Sequence, residues 1–186
     1  MILEFATPAE WENWLDANHQ SASEAWLRFA KKGAAVQSIN YAQALDVALR
    51  FGWIDSQVRR IDEHFYRQRF TPRRATSIWS KRNCDRVTEL IALGLVRPAG
   101  LAEVEKAKAD GRWDRAYDGP KNAAVPADLQ AALDARPEAR EFFETLDSHN
   151  RYAILFRTGQ AKRAETRARR IAQFVDMLAK GEKLHP

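Results

Sequence analysis

The chain has 186 residues, of which 45% are apolar, and it carries a formal net charge of +5. This composition excludes a globally disordered chain, and the length allows one sizeable domain or two small ones. A single cysteine, Cys84, excludes an internal disulfide framework and favours a reducing compartment. No secretory signal and no apolar run of about 18–20 residues is visible, so we expect a cytoplasmic protein without membrane insertion.

Charge is distributed unevenly along the chain. Residues 1–51 carry a net charge of −2 and residues 87–150 carry −4, whereas residues 52–86 carry +5 and residues 151–186 carry +6. Two basic segments therefore alternate with two acidic ones. This asymmetry indicates either an anionic partner or the packing of one part of the chain on another.

The first fifty residues predict two helices with a strand between them. Thr7-Pro8-Ala9-Glu10 is a capping box that begins a helix reaching about His19. Residues 25–30 alternate as a strand does. Asn40 begins the second helix, and Gly52 ends it.

An antiparallel hairpin is predicted next, from residues 53–61 and 65–70. Both segments are rich in β-branched and aromatic residues, and the polar turn Asp62-Glu63-His64 separates them. Pro72 ends the second strand. Alternation places Phe65, Arg67 and Arg69 on one face of that strand, and Tyr66, Gln68 and Phe70 on the other.

Helices dominate the remainder of the chain. Ser77 or Ser80 caps a helix that Gly94 ends, and residues 98–109 form another. Residues 113–125 have the composition of a loop and linker. Four further helices follow, at residues 126–135, 137–146, 148–158 and 164–180.

These elements predict an α+β fold that is predominantly helical. A small antiparallel sheet with a hairpin lies in the N-terminal half, and a helical bundle forms the C-terminal half. We assign residues 1–120 to an N-terminal α+β part that contains the segment Gly52–Asn83. Residues 126–186 form a C-terminal helical part, and we expect the two parts to pack as one compact unit.

Several motifs resemble one known family. They are Gly52-Trp53-Ile54-Asp55, residues 68–74, residues 77–83, residues 98–113 and residues 161–167. In these motifs the chain resembles the YdeI/OmpD-associated family, whose members are often labelled bacteriocin-protection proteins. The part from about Pro126 onward is similar to the small OmpD-associated domain. The resemblance implies a protective, stress-response role and association with an outer-membrane porin, and it brings no established reaction, cofactor or catalytic residue.

Catalytic chemistry has little support in the sequence. His19, His64, His149 and His185 are scattered and form no metal-ligand spacing with each other or with Cys84. No glycine-rich phosphate loop and no nucleophile elbow is present. We therefore predict no catalytic residue, no metal and no cofactor, and an unrecognised small-molecule enzyme is the third of three alternatives.

Anion capture is the first alternative. The central stretch uses arginine almost exclusively, and arginine binds carboxylates and phosphates in a bidentate manner. Arg73 and Arg74 precede a helix N-terminus, which also attracts anions. The predicted groove for an anionic small molecule or a protein carboxylate comprises Trp53, Asp55, Arg69, Arg73, Arg74, Ser77, Trp79, Ser80 and Asn83. An internal network of ion pairs is the competing structural interpretation.

Nucleic-acid binding is the second alternative. A basic two-stranded ribbon that carries Phe65, Tyr66 and Phe70 could follow a phosphate backbone and stack on bases. The acidic segment 87–150 would repel phosphates unless it faces away, and no nucleic-acid signature is present.

Arg167 is predicted to form a structural ion pair. It lies close to the apolar side of the last helix, and a buried arginine needs a partner. We expect that partner to be a carboxylate, namely Asp55 or Asp62 if the two halves pack together.

Overall fold

The structure is a computed structural model, and it describes residues 2–34 and 36–186. The chain divides into two compact units, one that ends at Ala116 and one that comprises Tyr117–Pro186. The predicted α+β class with a helical majority is confirmed. The domain ranges 1–120 and 126–186, and their packing as one compact unit, stay predictions.

The first unit contains four strands and four helices among its described residues. They are β1 (Ile2–Leu3), α1 (Pro8–Asn18), β2 (Ala25–Ala30), α2 (Tyr41–Arg50), β3 (Trp53–Arg60), β4 (Phe65–Pro72), α3 (Lys81–Ala92) and α4 (Pro98–Ala109).

The four strands form one sheet in the order β1-β2-β4-β3. β2 pairs with β4, and β4 with β3, in antiparallel fashion, whereas β1 is parallel to β2. The sheet is therefore mixed, whereas a purely antiparallel sheet was predicted. The parallel strand β1 was not predicted, because two residues are too few to show alternation in the sequence. The predicted hairpin is β3–β4, and the Asp62 carboxylate holds its turn by accepting the backbone N–H groups of His64 and Phe65 at 2.7 and 2.8 Å.

One face of the sheet is covered by α1 and α2. Leu27 and Phe29 from β2 meet Phe70 from β4 in a core that includes Trp11 and Trp53. The burial of these large side chains is the main stabilising contribution in this half of the molecule. The opposite face of the sheet is the one that carries the charges discussed below.

A second core lies between α2, α3 and α4. It contains Trp79, Leu90 and Val104, all almost fully buried. Of the two predicted caps, Ser77 and Ser80, Ser80 begins α3, because its hydroxyl accepts the N–H of Asn83 at 3.2 Å. α4 approaches the end of α2 closely at Gly100, where an added Cβ would lie 2.3 Å from the carbonyl oxygen of Arg50.

The second unit is entirely helical. Its helices are α5 (Ala127–Asp134), α6 (Pro137–Glu144), α7 (Ser148–Gly159) and α8 (Ala164–Ala179). They enclose a core of their own, whose largest buried side chains include Leu133, Phe143 and Phe174. Across residues 2–34 and 36–186, no helix has both the length and the apolar character needed to cross a bilayer.

Candidate functional site

The uncovered face of the sheet collects basic and aromatic side chains from three strands. In an antiparallel sheet, residues directly opposite each other point to the same face. Trp26 lies opposite Arg69, Arg28 opposite Arg67, and Ala30 opposite Phe65. Arg59 lies on the other side of Arg67. We call this surface the basic sheet face, and its members are Trp26, Arg28, Arg59, Phe65, Arg67 and Arg69.

Three of these arginines are direct neighbours across the strands. Arg67 on the middle strand β4 has Arg28 beside it on β2 and Arg59 beside it on β3. Adjacent strands lie about 4.8 Å apart, and like charges directly opposite each other destabilise a sheet. We call Arg28, Arg67 and Arg59 the arginine row. The mutual repulsion of three positive charges in line is therefore unfavourable for the sheet.

Two carboxylates neutralise the edges of this face. Glu4 binds Arg28 at 2.8 Å, and Glu24 binds Arg69 at 2.7 and 2.5 Å. Within the described part of the chain, Arg59 and Arg67 form no ion pair with a carboxylate. Arg59 only approaches the amide oxygen of Gln57, at 3.5 Å. The unneutralised charge of the basic sheet face is therefore concentrated on two adjacent guanidinium groups.

Aromatic rings lie against these guanidinium groups, closely for Arg28 and Arg67 and near the distance limit of a cation–π contact for Arg59. The Arg67 and Arg59 groups lie 4.8 and 5.6 Å from the centre of the Trp26 ring, and the Arg28 group lies 4.0 Å from that of Phe65. Such cation–π contacts leave the N–H edge of a guanidinium able to donate hydrogen bonds. The geometry suits the capture of a carboxylate or phosphate at the surface.

Sequence reasoning missed part of this surface. It placed Arg67 and Arg69 on one face correctly, but of the six members of the basic sheet face only Arg69 was among the predicted groove residues, and Trp26 and Arg28 were assigned to no site. The signal was present in residues 25–30, where alternation already puts these two side chains on the same face. What the sequence alone does not give is the register that sets β2 beside β4.

The residues of the predicted anion groove lie in several different parts of the first unit. Trp53 belongs to the core under α1 and α2, whereas Trp79 belongs to the core beside α3 and α4. Arg73 is buried, with its guanidinium 3.5 Å from the centre of the Trp79 ring and donating to the carbonyl of Ile78 at 3.2 Å. Arg69 lies on the basic sheet face.

The polar residues between β4 and α3 are engaged in local structure. The Ser77 hydroxyl accepts the N–H of Arg74 at 2.9 Å, and the Ser77 carbonyl accepts a bond from Arg112 at 2.9 Å. Ser80 and Asn83 form the cap of α3. The backbone and hydroxyl groups named here thus serve the turn and the cap. Anion binding by this set of residues stays a prediction.

Asp55 lies in a polar cluster on the covered side of β3. Its Oδ2 atom accepts bonds from the Tyr41 hydroxyl at 3.1 Å and from the Gln68 amide at 3.0 Å. Burial raises the pKa of Asp55 above its ordinary value, and the Tyr41 bond and the charges of Arg73 and Arg82 offset part of that effect. The cluster therefore holds an acid in a partly desolvated setting.

Arg167 has a carboxylate partner, as predicted, but the partner is Asp128 and not Asp55 or Asp62. Arg167 binds both oxygens of Asp128, at 2.5 and 2.8 Å, and also donates to the carbonyl of Thr158 at 2.8 Å. Asp128 stands in the first turn of α5, within the same unit. Asp55 and Asp62 are engaged in the first unit, in the polar cluster and in the hairpin turn.

The described residues contain no group of three His, Cys, Asp or Glu side chains arranged to hold a metal ion. The one cysteine, Cys84, is buried beside α3, and burial raises its pKa to about 11. Its thiol is therefore poorly suited to act as a nucleophile.

Two family models match the chain. The first is described as a domain of unknown function (DUF8412), and it matches residues 3–103, more than half of the chain and all of the basic sheet face. The second is described as bacteriocin-protection, YdeI or OmpD-associated, and it matches residues 122–181. The chain belongs to the DUF8412 family and carries a YdeI/OmpD-associated domain.

The predicted family is thereby confirmed for the second unit of the structure. The motifs at residues 52–83, which carried much of the resemblance, instead lie in the DUF8412 region, whose description names no function. Searches of curated proteins and of solved structures found no match.

Proposed function

We propose that this protein is a non-enzymatic protection protein that captures a carboxylate-bearing protein partner on the basic sheet face. The observation that carries the proposal is the pair Arg59 and Arg67, adjacent across two strands and without an ion pair in the described residues. The Arg67 guanidinium lies over Trp26 with Arg59 beside it, and both groups can form bidentate bonds to an anion. An approaching carboxylate would also relieve the repulsion within the arginine row.

A protein partner fits the surface better than a nucleic acid does. Glu4 and Glu24 at the margins leave two unneutralised arginines, whereas strongly salt-dependent DNA binding rests on about 6–10 phosphate contacts. The face already binds carboxylates through Arg28 and Arg69. The family model that matches the second unit is described by bacteriocin protection and by association with OmpD. Both descriptions point to protein partners.

Nucleic-acid binding remains the competing function, and a specific observation favours it. Trp26 and Phe65 are interleaved with the arginines in the manner of sheet surfaces that stack bases. The two functions differ in salt dependence. A single-stranded DNA held by two arginines would give a slope of log K against log salt of about −1.4, and a true nucleic-acid interface would give a much steeper one.

The proposal is tested by titrating fluorescently labelled deca-glutamate, and a single-stranded decanucleotide, into the full chain. Arg67→Glu and Arg59→Glu should each weaken deca-glutamate binding at least ten-fold. Arg74→Glu is the matched control, because it makes the same charge change at an exposed position of the same unit, and it should leave binding within about three-fold.

Three results would overturn the proposal. Equal loss with Arg74→Glu would show that only net charge matters, or that the helix entry at Arg74 is the site. Unchanged binding with Arg67→Glu would exclude the arginine row. Tighter binding of the oligonucleotide, with a slope of about −4 or steeper, would establish the nucleic-acid function instead.

A further inference from the structure

The outer edge of β3 is a free sheet edge. The strand order β1-β2-β4-β3 places β3 last, and in the described residues no other strand pairs with its outer side. The residues from Ser56 to Arg60 are all exposed. An open edge presents unpaired backbone N–H and C=O groups, which are a template for another strand.

The register identifies which backbone groups point outward. The N–H of Ile61 donates to the carbonyl of Phe65, which lies on β4. N–H groups of an antiparallel strand alternate between its two sides, so the N–H and C=O groups of Val58 and Arg60 point away from β4. The register shift between Asp55 and Val58 limits the regular edge to the segment from Val58 to Arg60.

The side chains of this edge select the chemistry of an added strand. A strand beside β3 would place one residue next to Arg59, about 4.8 Å away, where it becomes the fourth member of the arginine row. An acidic residue there would bind Arg59 and offset the repulsion from Arg67, whereas a basic one would increase it. On the other face the added strand would meet Val58, an exposed valine (60%), and Arg60.

The same charges disfavour pairing between two copies of this chain. An edge-to-edge dimer through β3 would bring Arg59 and Arg60 of one copy against those of the other, and like charges in cross-strand positions are destabilising. Charged side chains on an edge strand are also a common protection of sheets against self-association. They leave an acidic partner as the favourable occupant.

We propose that the Val58–Arg60 edge of β3 binds an extended acidic segment of a partner protein, which adds to the sheet as a fifth strand. This inference rests on the proposed function, because it specifies the conformation in which the carboxylate partner is bound. The backbone bonds to Val58 and Arg60 provide affinity. An acidic side chain beside Arg59 selects the partner.

The test uses a capped ten-residue peptide of alternating glutamate and valine, and a second peptide that is N-methylated at every residue, so that neither of its edges can donate a hydrogen bond to β3. Val58→Pro removes the outward N–H, and proline is tolerated where an edge N–H faces solvent. Val58→Thr is the matched control, because it retains the N–H and the branched shape. Binding is measured by fluorescence anisotropy, and amide exchange is followed by NMR.

We expect the N-methylated peptide to bind the parent protein at least ten-fold more weakly than the unmethylated peptide does. We expect the same loss when the unmethylated peptide binds Val58→Pro. Val58→Thr should stay within about three-fold, and the amides of Val58 and Arg60 should become protected from exchange. Unchanged affinity with both Val58→Pro and N-methylation would overturn it. If Arg67→Glu still abolishes binding in that case, the proposed function stands and only strand addition fails. If Arg67→Glu has no effect, the proposed function itself fails.

If Val58→Pro disturbs the fold, the N-methylated peptide with the parent protein decides the question alone. Equal binding of the two peptides, without protection of the Val58 amide, would then overturn the inference.

Discussion

The arginine row is a local cost to the sheet. Arg67 stands between two other arginines, and only Arg28 among them has a carboxylate partner in the described residues. Cross-strand pairs of like charge lower stability by a fraction of a kcal/mol each. If such a residue serves binding and not folding, its replacement should weaken binding and raise the free energy of unfolding.

Arg59→Thr is expected to raise the free energy of unfolding by about 0.2–1 kcal/mol while weakening deca-glutamate binding. The substitution removes the repulsion from Arg67 and places a good strand former in β3. The contact of Arg59 with Trp26, at 5.6 Å, is near the limit of a useful cation–π interaction, so little is lost. Urea unfolding followed by tryptophan fluorescence measures the change.

Arg60→Thr is the control for this prediction, since Arg60 is adjacent in the chain and lies opposite Tyr66 on the other face. It removes no repulsion within the row. A stabilisation equal to that of Arg59→Thr would attribute the effect to strand propensity alone, and a destabilised Arg59→Thr would contradict the account.

Asp55 and Asp62 should make opposite contributions to the pH dependence of stability. The pKa of Asp55 is raised, first by burial, so its contribution to stability is present below pH 3.8 and is lost as the pH rises through the native pKa. The pKa of Asp62 is lowered, first by the bond from His64. Its contribution is present above pH 3.8 and is lost as the pH falls through the native pKa.

Relative to the parent, Asp55→Asn should therefore gain stability as the pH rises from about 3.8 toward neutrality. Asp62→Asn should show the opposite trend, at and below pH 3.8. Urea unfolding at a series of pH values between roughly 3 and 7 measures both differences. The same trend in both variants would show that the pKa shifts are assigned wrongly.

Residue-level features were predictable where they depend on neighbours in the chain. The alternation of residues 65–70 predicted the faces of Arg67 and Gln68, and the local pattern limited the cap of α3 to Ser77 or Ser80. The partner of Arg167 was not predictable, because Asp128 lies 39 positions away and several acids satisfy the same requirement. Pairings across the fold depend on tertiary packing, which a single sequence does not specify.

At the level of elements, the packing of α4 on the end of α2 depends on Gly100. Gly100→Ala should destabilise the first unit by about 1–3 kcal/mol, because its Cβ would lie 2.3 Å from the Arg50 carbonyl oxygen. Gly159→Ala, in α7, is the control. No heavy atom lies within 4 Å of its added Cβ, so it should be neutral or stabilising by up to about 1 kcal/mol. Thermal unfolding that leaves Gly100→Ala as stable as the parent would contradict this packing.

Arg167 connects three helices of the second unit. It joins α8 to Asp128 in α5 and to the carbonyl of Thr158 in α7. Arg167→Met should lower the free energy of unfolding by about 1–2 kcal/mol, because several charge-assisted bonds are lost. Arg136→Met removes only one exposed pair, with Asp176, and should cost about 0.5 kcal/mol or less.

Helical circular dichroism during urea unfolding follows these two variants. All six tryptophans lie at or before Trp113, so tryptophan fluorescence reports the first unit separately. Equal costs for Arg167→Met and Arg136→Met would contradict the connecting role of Arg167.

Helices and strands were predicted well where the apolar periodicity of the sequence extends over many residues. The helices of the second unit and the β3–β4 hairpin follow the predicted segments closely. β1 was missed because it has two residues. Two large apolar residues of α3 and α4, Ile91 and Leu101, are 36% and 40% exposed, since tertiary packing decides how much of an apolar helix face is covered.

At the level of the whole molecule, the two family matches fall on different units. The second unit carries the match to the bacteriocin-protection family, whereas the first carries the basic sheet face and matches a family without a described function. We propose that the first unit selects the partner through Arg59 and Arg67. This division predicts that binding of an acidic partner is lost by changes in the sheet and is insensitive to Arg167→Met.

The most direct test of this account is an NMR titration that observes the arginine side-chain Nε–H signals of the full chain as deca-glutamate is added. Arg59→Lys and Arg67→Lys assign the two signals that matter. The account predicts that the signals of Arg59 and Arg67 shift together and reach saturation, while that of Arg74 does not move. Shifts confined to other arginines, or no saturable shift at Arg59 and Arg67, would contradict it.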